Sequence, residues 1–263
     1  VRLLTNIALD RRSQVVAYGA AIGQENSPLE KGRLHAAMVP SRFPLSEEPI
    51  RLSMTWSGRD RTAEYWSVES NNLKREFDRQ VRPRLDAERC HWSVFGLAPM
   101  PLLVLLGALF TDKSEVDVFQ LQREPVPGWG WSEGQESTQF QLRAPNDTTA
   151  PPAIAISLSA RIDHDRIRKA VGTAVSIWEL THGTPHNDFL KTRAQLLAFR
   201  EAARSAIARI AEIHGLTMPI KIFPAMPVAA AIELGRVRMP KANMPWELFD
   251  QQGDQGFVPT ITI

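Results

Sequence analysis

One short pattern occurs twice in the 263-residue chain and constrains its fold more than any other feature. FGLAPMPLLVLLG spans residues 95–107, and FPAMPVAAAIELG spans residues 223–235, an offset of 128 residues. Each copy runs from a Phe through a turn containing Met and Pro into an apolar run that ends on a Gly. Such a pattern is typical of a buried strand that turns directly into a buried helix. The repeat therefore predicts two related strand–turn–helix units within one chain.

The segments around the repeat alternate between the apolar periods of strands and helices. In chain order, the predicted elements are a strand at 50–56, a helix around 73–81, a strand at 91–98, a helix at 101–110 and a strand at 115–122, then strands at 153–160 and 174–181, a helix at 187–214, a strand at 220–225, a helix at 227–237 and strands at 246–251 and 258–263. Strands that alternate with helices favour crossover connections, and therefore a parallel or mixed sheet in each half.

The repetition of this order predicts an α/β fold of two fused Rossmann-like units with pseudo-twofold symmetry, whose parallel or mixed sheets are flanked by helices. We assign residues 50–149 to the first half and residues 150–263 to the second. Residues 1–49 are left unassigned, as an N-terminal segment or linker. Within them VVAYGAAIG fits either a strand or a short helix, and PSRFPLSEEP has the proline punctuation of a connector.

Composition excludes several classes of protein. The net charge of +2 and the pI near 8.9 lack the strong bias of a general DNA-binding protein, although they permit an anionic ligand. Cys90 is the single cysteine, so no intramolecular disulfide or thiolate metal cluster can form, which fits a reducing compartment such as the cytoplasm. The longest apolar stretch, roughly 94–110, is interrupted by Gly and Pro and is too short to span a bilayer. We therefore expect no membrane insertion.

The two repeated turns are candidate ligand-binding segments. In Rossmann-like sheets, ligands bind at the carboxyl ends of the strands, where turns into helices leave a crevice and free backbone N–H groups. Proline in a first helical turn loses no needed donor, and small alanines let a ligand approach the backbone. The alternative is that the turns only start two buried helices. The candidates are Ala98, Pro99 and Met100 in the first turn and Pro224, Ala225 and Met226 in the second.

Aromatic and basic residues near this edge are further candidates. Aromatic rings stack on bases at roughly 1–3 kcal/mol per base, whereas packing is the alternative role for any tryptophan. Two tryptophans end comparable strands in the two halves, and two lie in a Gly-rich loop; they are Trp56, Trp178, Trp129 and Trp131. Basic side chains neutralise phosphates, and otherwise they are solvated surface charges. The basic candidates are Arg59, Arg123 and Lys241.

Signals for catalysis and metal binding are weak. No GxGxxG, GxxxxGK[ST], GxSxG or HExxH motif occurs. His182 and His186 have a spacing found in metal sites, but Pro185 lies between them and no Cys pair accompanies them. Asp163 and its neighbours are explained by a helix start. We therefore predict no catalytic residue and no metal.

Two blocks of the sequence resemble the SAVED domain, the cyclic-oligonucleotide sensor of bacterial anti-phage (CBASS) systems. The blocks are FGLAPMPLLVLLGALFTDKSEVDVFQLQREPVPGWGW at 95–131 and IKIFPAMPVAAAIELGRVRMPKANMPWELFDQ at 220–251. The resemblance extends over about 50–263 and implies two fused CARF-like units. It also implies a non-catalytic sensor, without a cofactor, that binds a cyclic di- or trinucleotide made by a partner nucleotidyltransferase.

The resemblance further implies self-association on ligand binding and activation of a fused effector, commonly a DNA endonuclease of the HNH or restriction type. DNA would then be contacted only through that effector. The chain begins with Val rather than Met, which we interpret as truncation or processing that removed an upstream nuclease. Residues 1–9 have no signal-peptide pattern, so we expect a bacterial cytoplasmic protein that does not contact a membrane. One alternative is a ring nuclease that cleaves the cyclic ligand, as some CARF-type folds do, with Thr181 and His182 as its hydroxyl and basic groups. Another is an interaction module whose Trp-rich loop docks a partner.

Overall fold

The computed structural model describes residues 9–20, 27–55, 62–87, 90–124, 127–134 and 138–263. These residues form two large β-sheets and a two-stranded ribbon, with helices packed on the sheets and between them. The helices are α1 (Lys31–Met38), α2 (Ala63–Gln80), α3 (Arg82–Ala87), α4 (Met100–Phe110), α5 (His164–Val171), α6 (Arg193–His214) and α7 (Val228–Arg236). The strands are β1 (Arg12–Gly19), β2 (Phe43–Pro44), β3 (Ile50–Ser53), β4 (His91–Leu97), β5 (Val116–Val118), β6 (Leu121–Gln122), β7 (Gly128–Trp129), β8 (Phe140–Arg143), β9 (Pro152–Ser157), β10 (Ser176–His182), β11 (Ile220–Ala225), β12 (Trp246–Gln252) and β13 (Gly256–Thr262).

The first sheet is parallel throughout and is centred on β1. Strand β1 pairs on one side with β4 and on the other side with β2 and then β3, while β5 pairs with the far side of β4. All residues of β1 from Ser13 to Gly19 are buried. Residues 1–49, which the sequence left unassigned as a segment or linker, thus contain a central strand. The first sheet begins well before residue 50.

The second sheet has the order β13-β12-β11-β9-β10-β8. Its four inner strands are parallel, and the edge strands β8 and β13 are antiparallel to their neighbours. The two sheets have a similar order. In the first sheet β1 lies between β2 and β3 on one side and β4 on the other, with β5 beyond β4, and in the second β9 lies between β10 and β11, with β12 beyond β11. The predicted α/β class, with parallel and mixed sheets flanked by helices, is confirmed. The pseudo-twofold relation and the domain boundaries at 49 and 149 stay predictions.

Most predicted elements of the second half are present, with shifted ends. Helix α6 begins at Arg193 rather than at Asn187, because Thr192 and Gln195 form a capping box there. Asp163 caps α5, as the helix-start interpretation required. In the first half, the predicted strand at 115–122 is divided: β5 ends at Val118, and the short ribbon strand β6 begins at Leu121.

The two glycines of the repeat lie where α4 and α7 pack against each other. A Cβ added to Gly107 would lie 1.9 Å from the carbonyl oxygen of Ile232, and one added to Gly235 would lie 1.9 Å from the carbonyl oxygen of Val104. Because Val104 and Ile232 are themselves separated by the repeat offset, the two contacts are reciprocal. Only residues without a side chain allow the helix backbones to approach this closely.

A buried arginine joins the same helices at their C-terminal ends, next to the glycine contacts. Arg236, the last residue of α7, is 2% exposed, and its guanidinium donates to the carbonyls of Thr111 (3.3 Å), Ser114 (2.8 Å) and Val116 (3.4 Å). Glu233 pairs with it at 2.7 Å. The C-terminal end of α7 therefore lies beside the C-terminal end of α4, so the helices run in the same general direction.

We expect Gly107→Ala to destabilise the protein by about 3 kcal/mol or more, because the added methyl would overlap main-chain atoms that cannot move without separating the helices. Gly183→Ala is the control: a Cβ there meets nothing within 4 Å, so its effect should stay within about 0.5 kcal/mol. Urea unfolding followed by circular dichroism measures both. Equal stability of the two variants would contradict the packing role.

Candidate functional site

Both repeated turns lie on the same side of the molecule. Helices α4 and α7 each start at the carboxyl edge of a sheet, and they run side by side away from it. Gln120, which follows the carboxyl end of β5, accepts a hydrogen bond from the amide of Ala229 in the first turn of α7 at 3.1 Å. This bond places the start of α7 at the carboxyl edge of the first sheet. The two turns therefore share one edge.

The two turns differ in detail from the sequence expectation. Ala98 and Pro99 form the first turn and Met100 already begins α4, whereas Pro224 and Ala225 are the last residues of β11. The first-turn residues are partly exposed, as are Pro224 and Ala225, whereas Met226 is buried. Both helices have proline as the N-cap residue, so neither receives a capping bond from its own N-cap side chain. Gln120 instead caps α7, so the Ala229 amide is already satisfied.

A loop that the sequence analysis missed adjoins the second turn. After β9 the chain turns so that the amides of Leu158 and Ser159 both donate to the carbonyl of Ala225, at 2.9 and 2.8 Å. Arg161 follows on this loop and is exposed, and among the described residues no carboxylate lies within 4 Å of its guanidinium. Because β9 is central in its sheet, this loop lies at the carboxyl edge. In the sequence, the signal that could have revealed this loop was the segment SAR at 159–161, which ends an apolar run with a serine and an arginine.

The segment after β5 lies along the seam between the two halves. Gln122 donates to the carbonyl of Leu190 at 3.0 Å and accepts from Lys191 at 3.2 Å, and Ser132 donates to the carbonyl of Lys191 at 2.8 Å. Trp131, a predicted ligand-binding residue, packs here against the main core. The segment that follows the Trp-rich loop is thus bonded to the second half of the same chain.

Arg123 and Trp129 are brought together by the structure. Both line a small cleft beside α1, where Arg123 is exposed and Trp129 is 8% exposed. Two other predicted residues, Trp56 and Arg59, lie outside the described residues.

The placement of two predicted residues was wrong. Trp178 is the third residue of β10 rather than its last, is 2% exposed, and donates from Nε1 to Nε2 of His214 at 3.1 Å. It is therefore a core residue beside α6, away from the carboxyl edge. Lys241 is exposed on the connection that leads from α7 to the amino end of β12. Because the helix carries the chain back across the sheet, Lys241 lies at the edge opposite the turns.

Thr181 and His182 are buried and bonded to main-chain groups. The Thr181 hydroxyl donates to the carbonyl of Ser157 at 2.9 Å, and His182 Nε2 lies 3.0 Å from the carbonyl oxygen of Leu158. The His182 ring packs on Phe189 with centroids 4.3 Å apart. Within the described part of the chain, no group of three or more His, Cys, Asp or Glu side chains is arranged to hold a metal ion.

A Ser–His–Asp constellation occurs at the amino edge of the first sheet. Ser13 Oγ lies 2.9 Å from His91 Nδ1, and His91 Nε2 lies 3.5 Å from Asp117 Oδ2. Ser13 is completely buried and also bonds Ser93 Oγ at 2.9 Å. A nucleophile must reach a reacting atom at close range, so this arrangement serves as a structural network.

Asp117 also joins the two halves. Arg193, at the start of α6, contacts its Oδ1 at 2.7 Å. Burial opposes ionisation of Asp117, but the hydrogen bonds from His91 and Arg193 and the positive charge of Arg193 outweigh it and hold the pKa of the carboxyl well below its ordinary value. The ionised carboxylate is therefore favoured by the folded state.

We expect Asp117→Asn to destabilise the protein at pH 7 by roughly 1.5–3 kcal/mol, the range for hydrogen bonds to charged groups. A depressed carboxyl pKa gives stability that is complete above the unfolded-state value near 3.9 and declines as pH falls below it. The difference between wild type and variant should therefore shrink below about pH 4. Urea unfolding at pH 7 and pH 3 tests this, and a difference independent of pH would contradict it.

Two α/β units with parallel sheets, whose helices α4 and α7 start at one edge, define an architecture of the Rossmann class. The family model "SAVED: SMODS-associated and fused to various effectors sensor domain" matches residues 73–263, which is more than half of the chain. The chain therefore belongs to the SAVED family, and the resemblance inferred from the two sequence blocks is confirmed.

No curated protein matches the chain in sequence. No helix in the described part of the chain is long and apolar enough to cross a membrane.

Several solved structures share the fold. A Cap4 SAVED/CARF-domain containing receptor from Acinetobacter baumannii with the cyclic trinucleotide 2'3'3'-cAAA matches with a TM-score of 0.60 at 15% identity, over 95% of this chain and 51% of the receptor. The same receptor with 3'3'3'-cAAA gives 0.57 at 16% identity, over 95% and 52%. The Moraxella osloensis Cap4 receptor gives 0.54 at 13% identity, over 95% and 50%. The chain thus spans about half the length of these receptors.

Proposed function

We propose that the protein is a sensor domain that binds a cyclic di- or trinucleotide across the edge shared by its two repeated turns. The observation that carries the proposal is the reciprocal contact of α4 and α7, which holds both helix starts on one side in a chain of the SAVED family. The Acinetobacter receptors of the same fold have cyclic trinucleotides bound. Base identity within this ligand class is set by the loops at that edge.

The chemistry of the edge suits a nucleotide that carries several phosphates. Arg161 lies beside the second turn and Arg123 lies near the first sheet's edge, so two exposed guanidiniums are available for phosphate oxygens. Partly exposed apolar residues of the turns, Pro99, Met100 and Pro224, offer surfaces for bases and riboses. Because Gln120 already occupies the Ala229 amide, arginines rather than the α7 start supply the main contacts to phosphate.

We further propose that the ligand leaves the site intact. The two residues considered for hydrolysis, Thr181 and His182, use their polar atoms on main-chain carbonyls and are 3% and 7% exposed. Neither is placed to activate a ribose hydroxyl. The ligand would come from a partner nucleotidyltransferase in a bacterial cytoplasm, and ligand-dependent self-association would activate a fused effector, such as a DNA endonuclease, in anti-phage defence.

Isothermal titration against a panel of cyclic di- and trinucleotides, beginning with 3'3'3'-cAAA, tests the binding. We expect saturable binding of at least one member, and Arg161→Ala should weaken it about tenfold or more, because a charge-assisted hydrogen bond to phosphate is worth about 1.5–3 kcal/mol. Arg209→Ala, on the exposed face of α6, is the matched control and should bind as wild type does. Absence of heat with every ligand would refute the function, and chromatography of the recovered ligand shows whether it was cleaved.

Ligand-dependent assembly is tested separately by light scattering. We expect the molar mass to rise when the ligand that binds is present at saturation, because a ligand shifts an association equilibrium by its difference in affinity for the two states. An unchanged mass under these conditions would remove self-association from the proposal while leaving binding intact.

A further inference from the structure

The small cleft beside α1, called the notch from here on, is open and apolar and lies between α1 and the ribbon formed by β6 and β7. Its volume is about 110 Å³, and its walls are mainly apolar atoms. It adjoins the carboxyl edge of the first sheet, because one wall follows β1 and another follows β5. The main lining residues are Pro28, Arg33, Leu121, Arg123, Gly128 and Trp129.

The floor of the notch is rigid. Trp129 Nε1 donates to the carbonyl of Pro28 at 2.6 Å, which ties the ribbon to the loop before α1. The indole packs edge-on against Phe95, with centroids 5.3 Å apart and an interplanar angle of 87°. Phe95 in turn stacks on Phe119 at 4.3 Å. A ligand group that enters the notch therefore meets a preformed aromatic surface.

The second half contains the same arrangement of rings at the repeat offset. Phe223 stacks on Phe249 at 4.5 Å and packs edge-on against Phe257 at 5.0 Å and 79°. Phe223 and Phe257 lie 128 residues after Phe95 and Trp129. Both ring clusters lie on the face of their sheet that carries the helix following the central strand.

The two clusters differ in what covers them. In the second half Arg166, the third residue of α5, lies with its guanidinium 5.2 Å from the centroid of Phe257 and bonds Gln251. In the first half the third residue of α1 is also an arginine, Arg33. Among the described residues, however, no cationic side chain lies over the Trp129 ring. In the first cluster the arginine is Arg193, and it lies over Phe119 at 5.6 Å instead. The chain thus covers the Phe257 position with its own arginine and leaves the corresponding Trp129 position open.

The rim of the open notch is positively charged. In the described part of the chain no carboxylate lies within 4 Å of the guanidinium of Arg33 or Arg123, and both side chains are exposed. The Glu30 carboxylate is nearby, but it accepts hydrogen bonds from the main-chain amides of Gly32 and Arg33. Two unpaired guanidiniums above an apolar floor are complementary to an anion that carries a flat or apolar group. Gln122, another lining residue, bonds the second half at Leu190 and Lys191. The notch therefore borders the seam across which the ligand is proposed to lie.

We propose that this notch is a subsite for a single nucleotide of the cyclic ligand, with the base or ribose against Trp129 and Pro28 and its phosphate between Arg33 and Arg123. The inference rests on the proposed function. A volume near 110 Å³ is well below the roughly 300–1,000 Å³ of a pocket for a complete small molecule. It admits one ring-sized group, so the rest of the ligand extends along the edge.

The test compares Arg33→Ala, Arg123→Ala and the double variant with Arg166→Ala, which removes the arginine at the corresponding position of the second half. Affinity for the cyclic nucleotide that wild type binds is measured by isothermal titration, and thermal unfolding verifies that each variant is folded. We expect about tenfold weaker binding for each single variant and a larger loss for the double variant, whereas Arg166→Ala should bind as wild type does.

The outcomes separate the subsite from the function beneath it. Wild-type affinity in the folded double variant would overturn the subsite and leave the sensor function standing. Normal affinity combined with loss of ligand-dependent assembly would also overturn it, and would make the notch a contact between copies. Failure of wild type to bind any ligand of the panel would overturn both.

Discussion

Backbone contact between α4 and α7 is the constraint on which the arrangement of the two halves depends. Gly107 and Gly235 remove the side chains that would hold the helices apart, and each faces a carbonyl one turn before the other glycine. Arg236 then fixes the direction of the pair, since its guanidinium reaches carbonyls just beyond the end of α4. Burying Arg236 with Glu233 costs desolvation free energy, which the carbonyl bonds offset. A buried pair of this kind favours one register of the helices over others, and that register brings both turns to one edge.

The sequence predicted the parts of the fold that are encoded locally. The repeat contains strand, turn, helix and glycine within thirteen residues, and each of these elements is present in both copies. Strand β1 was missed because its short apolar run fits a strand and a helix equally well. What makes it a central strand is pairing along its length with β4, which follows more than seventy residues later. The contacts of Gly107 with Ile232 and of Gly235 with Val104 were hidden for the same reason, because sequence spacing does not reveal which helices touch.

The site was predictable only where connectivity determines it. A turn between a parallel strand and its helix must lie at the carboxyl edge, so both repeated turns were placed there correctly. Trp178 failed because its position within β10 depends on where the strand ends, and strand ends are the least certain part of a sequence-based assignment. Lys241 failed because a helix returns the chain to the opposite edge. Arg161 and Gln120 were overlooked because hydrogen bonds between segments far apart in sequence determine their positions. The amides of Leu158 and Ser159 attach the loop of Arg161 to the second turn, and Gln120 bonds the start of α7.

The difference between the two ring clusters follows from having both halves in one chain. In a symmetric dimer of identical units, one sequence codes for both sites, so an arginine that closed one notch would close the other as well. Here Arg166 and Arg33 are separate residues and can take different positions over Phe257 and Trp129. A cyclic ligand that binds across the seam, as proposed, would meet two unlike surfaces, and its nucleotides would not be equivalent. The open notch would then fix the orientation of the ring, because only a ligand that places one nucleotide against Trp129 gains that contact.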